Sequence, residues 1–428
     1  MPSLEPAVCA PGAQRPKAVF AGLSRWRHAP VFLQAAKAAA LPVTNSAGEV
    51  VEEYAKPLQR DQTEEWKGWM QIMFLWYHYF EAKELYNAIR LYIAAYVWMT
   101  GFGNFSYYYI KKDFSLKRFA QMMWRLNFFV FFACAVLENS YMLYYICMLH
   151  TAFTVFIYAS LGIKSDLNTD SLALTVKFVL LSVLVLSIWH VPGIFEVVWW
   201  PFKWLCMYKG SMHEWKFRST LDHLVWIVGM LTAYNFPRMD SVLKHIETGS
   251  AARVYAIKGS VLAACAAIGY YYYISVFSLG KYEYNALHPY TSFVPITLYI
   301  TLRNLSKRAR QYHMHLFAFL GKITLETYIG QFHIWMVTTG PDYTRLPDAA
   351  PKRLLMLLPE GWPMVNFVLV SVIYLAICYR IFKITVNLRS MAVPDSCADN
   401  SAVLRNLVAM PVTVALVYSL AWGMKLIA

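Results

Sequence analysis

The chain has 428 residues, of which 58% are hydrophobic and only 15% charged. Its mean hydropathy is +0.38. A soluble domain of this length is not so apolar, so the composition points to a protein that crosses a membrane many times. The net charge of +14 does not indicate nucleic-acid binding. The lysines and arginines gather in short loops beside apolar runs, which is the positive-inside pattern. Seven cysteines with no CxxC pair argue against a disulfide framework or a zinc site, and no metal is expected.

Residues 1–65 are rich in Ala and Pro and carry Arg15, Lys17, Arg25 and Arg27 against a single early acid, Glu5. They contain no long apolar run and no h-region of a cleavable signal peptide, so they read as a disordered cytosolic or targeting segment. Residues 66–428 read as one membrane domain. Eleven apolar stretches follow, at 66–80, 87–110, 119–138, 141–163, 172–190, 217–236, 254–279, 290–302, 313–338, 364–382 and 403–425. The first and eighth are short for a span of ~20 residues and must be tilted, broken or extended by their flanks. The expected fold is all-α, a polytopic bundle of ten or eleven transmembrane helices.

The loop 111–118 carries net +3 and the loop 303–312 net +4. Alternation of the spans puts both on one side with the N-terminus, and that side is expected to be cytosolic. Trp199, Trp200 and Trp204 lie with Pro192 and Pro201 in the long loop 191–216, as an interfacial segment would.

Within the ninth stretch, Gly321–Trp335 carries Lys322, Glu326 and His333. Offsets of 4 and 11 at ~100° per residue place them in a narrow stripe of one helix face. Such a set is costly in lipid unless it meets a partner or a wet cavity. It is either a buried salt bridge that fixes packing or a polar site inside the bundle. Other ionisable residues at the same depth favour the site. His78, followed by Glu81, ends the first span, and Asp222 and His223 lie in the same, non-cytosolic half. Imidazoles and carboxylates are the groups that exchange protons near neutral pH. His150 and His190 read instead as hydrogen-bonded packing residues.

The cytosolic set is basic: Lys117, Arg118, Arg125, Arg303, Lys307, Arg308 and Arg310. Arginine forks match phosphate geometry and suit an anionic nucleotide. Topogenic charge with snorkelling side chains accounts for the loop residues equally well. Arg125 differs, because it lies a turn or more inside an apolar run, next but one to Asn127. The chain has no GxSxG elbow, Walker loop, GxGxxG, GDS block, DxxH pair or His-x4-Asp motif. The sequons at Asn104 and Asn304 fall inside a span and on the cytosolic side, so neither is expected to carry glycan.

Six ordered blocks, GWMQIMFLWYHYFEAKELYNAIR (68–90), AAYVWMTGFGNFSYYYIKKDF (94–114), FAQMMWRLNFFV (119–130), EWKFRSTLDHL (214–224), LHPYTSF…LRN (287–304) and GKITLETYIGQFHIW (321–335), resemble the Cas1p-type ten-transmembrane acyltransferase family. That family includes plant and algal reduced-wall-acetylation proteins, an animal sialic-acid O-acetyltransferase and a fungal capsule acetylation protein. The resemblance runs from Trp66 to the last span. It implies a multi-pass Golgi membrane protein, surrounded by lipid, that passes acetyl groups from cytosolic acetyl-CoA to lumenal glycans such as cell-wall polysaccharides. It also implies further chain, including a further span, ahead of the Gly68 block. No lumenal SGNH domain accompanies the blocks, so the chain acetylates glycan directly or loads a separate lumenal SGNH-type acetyltransferase.

On this reading His78 or His333 is the general base or transient acetyl carrier, and Glu326 or Asp222 orients and stabilises the imidazole. Arg125 with Asn127 holds CoA or polarises the thioester, and Lys322, Arg303 and Asn104 complete the substrate-binding set. The alternative is a transporter that moves acetyl-CoA or polysaccharide without covalent chemistry.

Overall fold

The computed structural model describes residues 56–79, 82–137, 140–204, 206, 208, 210–335, 357–358, 361–394 and 400–409, with backbone alone at 41–42, 205, 336–337 and 353–354. Long apolar runs produce long helices here, some of them with Gly or Pro inside, as Gly101 in α2 and Pro237 in α8. The order is α1 (Arg60–Tyr79), α2 (Tyr86–Lys111), α3 (Leu116–Leu137), α4 (Tyr145–Gly162), α5 (Ser171–His190), α6 (Ile194–Leu205) and α7 (Met212–Thr220). Then come α8 (Val225–Glu247), α9 (Ala251–Tyr272), α10 (Lys281–Thr291), α11 (Phe293–Leu305) and α12 (Lys307–Gln311). The last are α13 (His315–Lys322), α14 (Thr324–Gly330) and α15 (Pro363–Ala392). Asp170 caps α5 by accepting from the amides of Leu172 and Ala173. Pro363 opens α15, where its missing N–H costs nothing. Two two-residue strand pairs, Leu41–Pro42 with Tyr312–His313 and Met336–Val337 with Arg353–Leu354, tie loops together.

Among the described residues, five helical segments are long and apolar enough to cross a membrane: Leu116–Leu137, Tyr141–Gly162, Ser171–His190, Ala251–Phe277 and Pro363–Ala392. Their outward faces carry exposed Leu, Val, Ile and aromatic side chains, as on Leu172, Leu180, Ile268 and Val365, which suits contact with lipid. The two short stretches resolve as expected from their flanks. The first extends back to Arg60, so residue 65 lies inside α1 rather than in a tail. The eighth is α10 and α11 end to end, interrupted at Ser292 just after Pro289. The disorder expected for residues 1–55 falls outside the described residues apart from the backbone at 41–42.

The ninth stretch departs from the continuous helix that the polar stripe assumes. It breaks at Ile323 (φ −106°, ψ 19°) between α13 and α14, and continues as a π turn over Gln331–Trp335. Lys322, Glu326 and His333 therefore occupy three successive segments and do not share one regular helical face.

Two pairs of helices approach unusually closely. α2 and α8 run in step, with Arg90 beside Asp222 and Phe102 beside Phe236. A Cβ added at Gly101 would stand 1.9 Å from the Trp226 carbonyl, and one at Gly229 2.2 Å from the Trp98 carbonyl. α1 and α13–α14 also run in step, with His78 beside Phe332 and Tyr79 beside Trp335. There a Cβ at Gly68 would meet the Phe317 carbonyl at 1.8 Å and one at Gly321 the Glu64 carbonyl at 1.9 Å. Only residues without a side chain let two backbones come this near.

The loop after α11 is tied to the bundle by ion pairs. Arg303 pairs with Glu65 at 2.9 Å and with the Tyr312 carbonyl at 2.8 Å, tying α11 to α1. Arg310, fully buried, pairs with Glu247 at 2.6 Å, and Lys258 reaches the same carboxylate at 3.2 Å. Helix α6 buries Phe195 and Trp199 and exposes Val197, Trp200 and Trp204.

Gly68→Val and Gly101→Val are expected to abolish folding or to lower the unfolding temperature in detergent sharply, since each forces two backbones apart. Gly259→Ala, where an added Cβ meets nothing within 4 Å, should leave stability equal or raised by about 0.5–1 kcal/mol. Thermal unfolding of the three purified variants checks this. Equal behaviour at Gly101 and Gly259 would remove the close crossing as a determinant of the fold.

Candidate functional site

α2 contributes a stripe of residues at spacings of three and four: Tyr86, Ile89, Arg90, Ile93, Tyr96, Thr100, Gly103, Asn104, Tyr107 and Lys111. All of them line one cavity of about 1200 Å³. From Tyr86 to Lys111 is 25 residues, or about 37 Å of helix, against ~30 Å for the hydrocarbon of a bilayer. The cavity thus follows the helix over the full depth of the bundle. α1, α3, α4 and α13–α14 supply the other walls.

At the basic end the walls carry Arg60, Lys111, Arg118 and Lys322. Arg118 stacks 4.0 Å over the Tyr107 ring, and Lys111 and Lys322 have no ion-pair partner among the described residues. Asp113, in the loop beside this mouth, takes hydrogen bonds from Ser115 and Tyr107, and these hold its carboxyl below the usual carboxylate range. Deeper, Lys67 pairs with Glu64 at 2.7 Å, and the Tyr96 hydroxyl donates to the Lys67 carbonyl at 2.5 Å. Arg125 meets Glu326 with both guanidinium nitrogens, one at 2.9 Å, and also reaches the Lys322 carbonyl. Glu326 is fully buried, while the Arg125 side chain keeps 29% of its surface and lines the cavity.

At mid-depth, one helical turn above Tyr96, the Thr100 hydroxyl lies 2.6 Å from His150 Nδ1. Asn104 lies one turn further along α2 and donates to Thr154 at 3.1 Å. At the far end Arg90 reaches Asp222 and the Tyr145 hydroxyl, each at 3.2 Å. His288 stands 3.6 Å behind Asp222, and Tyr284 holds the other ring nitrogen of His288 at 2.9 Å. Asp222 and His288 are both fully buried. Among the described residues no group of three or more His, Cys, Asp or Glu is arranged to hold a metal ion.

The cavity sorts the residues expected from the sequence. His78, Arg125, Lys322 and Asn104 line it. Glu326 and Asp222 lie behind the wall, each bound to an arginine that does line it. His333 does not line it and is engaged by the Tyr144 hydroxyl. Asn127 is held in a lateral network with Thr151 at 2.8 Å and Tyr141 at 2.9 Å. Arg303 is committed to Glu65 and to loop carbonyls outside the cavity. Glu81 lies outside the described residues.

Among the cavity residues not anticipated, Arg90 and His150 stand out. Arg90 was legible on the same ground as Arg125, a charge inside an apolar run that topology does not demand. His150 read as packing, yet its helix carries Cys147, His150 and Thr154 at spacings of three and four, all on the cavity wall.

A bundle of long apolar helices around a cavity that carries charged groups on its wall defines a multi-pass membrane protein. The chain belongs to the family described as the 10 TM acyl transferase domain found in Cas1p, which it matches over residues 35–408. That match begins within the stretch expected to be an N-terminal tail. The N-acetylneuraminate (7)9-O-acetyltransferase of Danio rerio is 32% identical over 381 residues, covering 85% of this chain. The chain spans 46% of the length of that relative. No solved structure matches it.

Arg125→Ala leaves the Glu326 carboxylate buried without its partner and is expected to cost about 3–5 kcal/mol. Replacing both members, Arg125→Met with Glu326→Leu, should recover most of that loss. Unfolding of the single and double variants in one detergent is the measurement. A double variant no better than Arg125→Ala would mean that the pair is not the stabilising unit.

Proposed function

We propose that the protein is a membrane O-acetyltransferase that takes acetyl groups from cytosolic acetyl-CoA and delivers them to glycan hydroxyls on the opposite, lumenal side of a Golgi membrane. The observation that carries the reading is the cavity, basic at one end and continuous to the other. Membership of an acyltransferase family and likeness to a sialic-acid O-acetyltransferase support the same chemistry. Excess Lys and Arg at the mouth that includes the loop 111–118 supports a cytosolic orientation of that end and of the N-terminus.

The donor is read as an anchored anion with a thin arm. Lys111, Arg118 and Lys322 hold the CoA phosphates, and the arm with its thioester enters the cavity between α2 and α14. The acceptor approaches from the far end, where His78, Arg90 and Tyr145 line the wall. Arg90 is already neutralised by Asp222, and Arg125 by Glu326. These two pairs keep the passage polar without leaving a net charge to trap an anion midway. The acceptor is a polysaccharide hydroxyl directly, or the nucleophile of a separate lumenal SGNH-type acetyltransferase. An end-to-end passage equally suits a transporter of acetyl-CoA, and this is the second reading.

Reconstituted protein given acetyl-labelled CoA at the basic face separates the two. Release of free CoA with acetyl on an added oligosaccharide is expected; intact acetyl-CoA accumulating across the bilayer would overturn the transferase reading. Lys322→Ala should weaken CoA binding about fivefold, the scale of one exposed charge contact of ~1 kcal/mol. Arg303→Ala, at a residue outside the cavity, should change affinity far less at equal folded yield. The reverse order, by equilibrium binding of radiolabelled CoA, would displace the phosphate site to the loop 303–312.

A further inference from the structure

We propose that His150, oriented by Thr100, is the base that activates the acceptor hydroxyl at the midpoint of the cavity. This rests on the acetyl-transfer reading above. Two histidines line the cavity among the described residues, His78 and His150, and their depths differ. Thr100, which marks the level of His150, is 11 residues along α2 from Lys111, about 16 Å of helix, while His78 is 18 residues along α1 from Arg60, about 27 Å. A thioester whose phosphates are held at the basic mouth therefore reaches His150 well before it reaches His78.

The hydrogen bonds fix the ring for this task. The Thr100 hydroxyl donates to the Tyr96 carbonyl at 3.4 Å, the usual bond of a helical threonine one turn back. Its lone pair is then free to accept from Nδ1–H of His150, 2.6 Å away, in the tautomer that the proposed base requires. With the proton on Nδ1, Nε2 keeps its lone pair. Nε2 has no hydrogen-bond partner among the described residues and is not buried, so on this cavity-lining side chain it faces the open space. The other histidines of the far half are spoken for differently: His223 by the Thr220 carbonyl, His288 by Tyr284, and His190 by Tyr290.

In the step itself, Nε2 takes the proton of the sugar hydroxyl as that oxygen attacks the thioester carbonyl carbon. The C–S bond breaks as the new ester forms. The CoA thiolate leaves towards the basic mouth and takes the proton from Nε2, which returns the ring to its starting state. No further reactant is needed.

The test uses full-length protein in liposomes with acetyl-CoA and a soluble oligosaccharide. His150→Gln, which keeps a polar side chain on the wall, is expected to lower kcat by about a hundredfold or more with the KM for acetyl-CoA changed less than about threefold. Thr100→Val should lower kcat about tenfold at unchanged KM, with Thr100→Ser restoring it. Active wild type with His150→Gln within a few-fold of it, or with Thr100→Val unaffected, overturns the assignment and leaves the acetyltransferase reading standing. Wild type that binds acetyl-CoA without releasing CoA overturns both. The Thr100 pair is decisive even if His150→Gln does not fold, because a purely structural role would not split kcat from KM and respond to serine.

Discussion

The fold depends on two places where backbones touch. Gly101 with Gly229 and Gly68 with Gly321 let α2 meet α8 and α1 meet α13 at distances that no side chain would permit. In lipid the hydrophobic effect gives little reason for helices to associate, so close van der Waals contact must supply it. These contacts also decide where space remains. With the α2–α8 and α1–α13 pairs pinned, α1 and α2 touch through Trp66 with Trp98 and Lys67 with Tyr96, and the polar stripe of α2 lines the cavity beside those contacts.

Charge is managed by pairing across helices. Arg125 with Glu326, Arg90 with Asp222 and Arg310 with Glu247 each join elements far apart in sequence. Burying any one of these ions alone would cost several kcal/mol. In the first two pairs the cation lines the passage while the anion stays behind it, so the wall presents guanidinium groups whose charge is already balanced. In the third, both partners act as structural ties near the mouth.

The sequence disclosed the helical, multi-pass class and the long apolar helices, because hydropathy acts locally. It disclosed Arg125 and Glu326 as unusual residues but not as partners, since a contact across some 200 positions has no local signature. The expected stripe of Lys322, Glu326 and His333 failed because helical periodicity assumes an unbroken helix, and the chain breaks at Ile323. Arg303 looked like a phosphate ligand for want of any sign that Glu65 would meet it. His150 was passed over as a lone apolar-face histidine; what distinguishes it is Thr100 on another helix, which only the packing brings near.

The break in the ninth span has a further effect on assembly. An interrupted helix leaves carbonyl groups without their usual amide partners inside an apolar medium, where each must be satisfied. Here the neighbours do so. Arg125 of α3 reaches the Lys322 carbonyl and Thr324 Oγ1 donates to the Gly321 carbonyl at 2.8 Å, while just beyond the break Tyr374 and Cys378 of α15 add bonds to the Thr327 and Glu326 carbonyls. The break thus works as a row of sockets on which α3 and α15 find their register, so a substitution that straightened the span would leave those two helices free to slide.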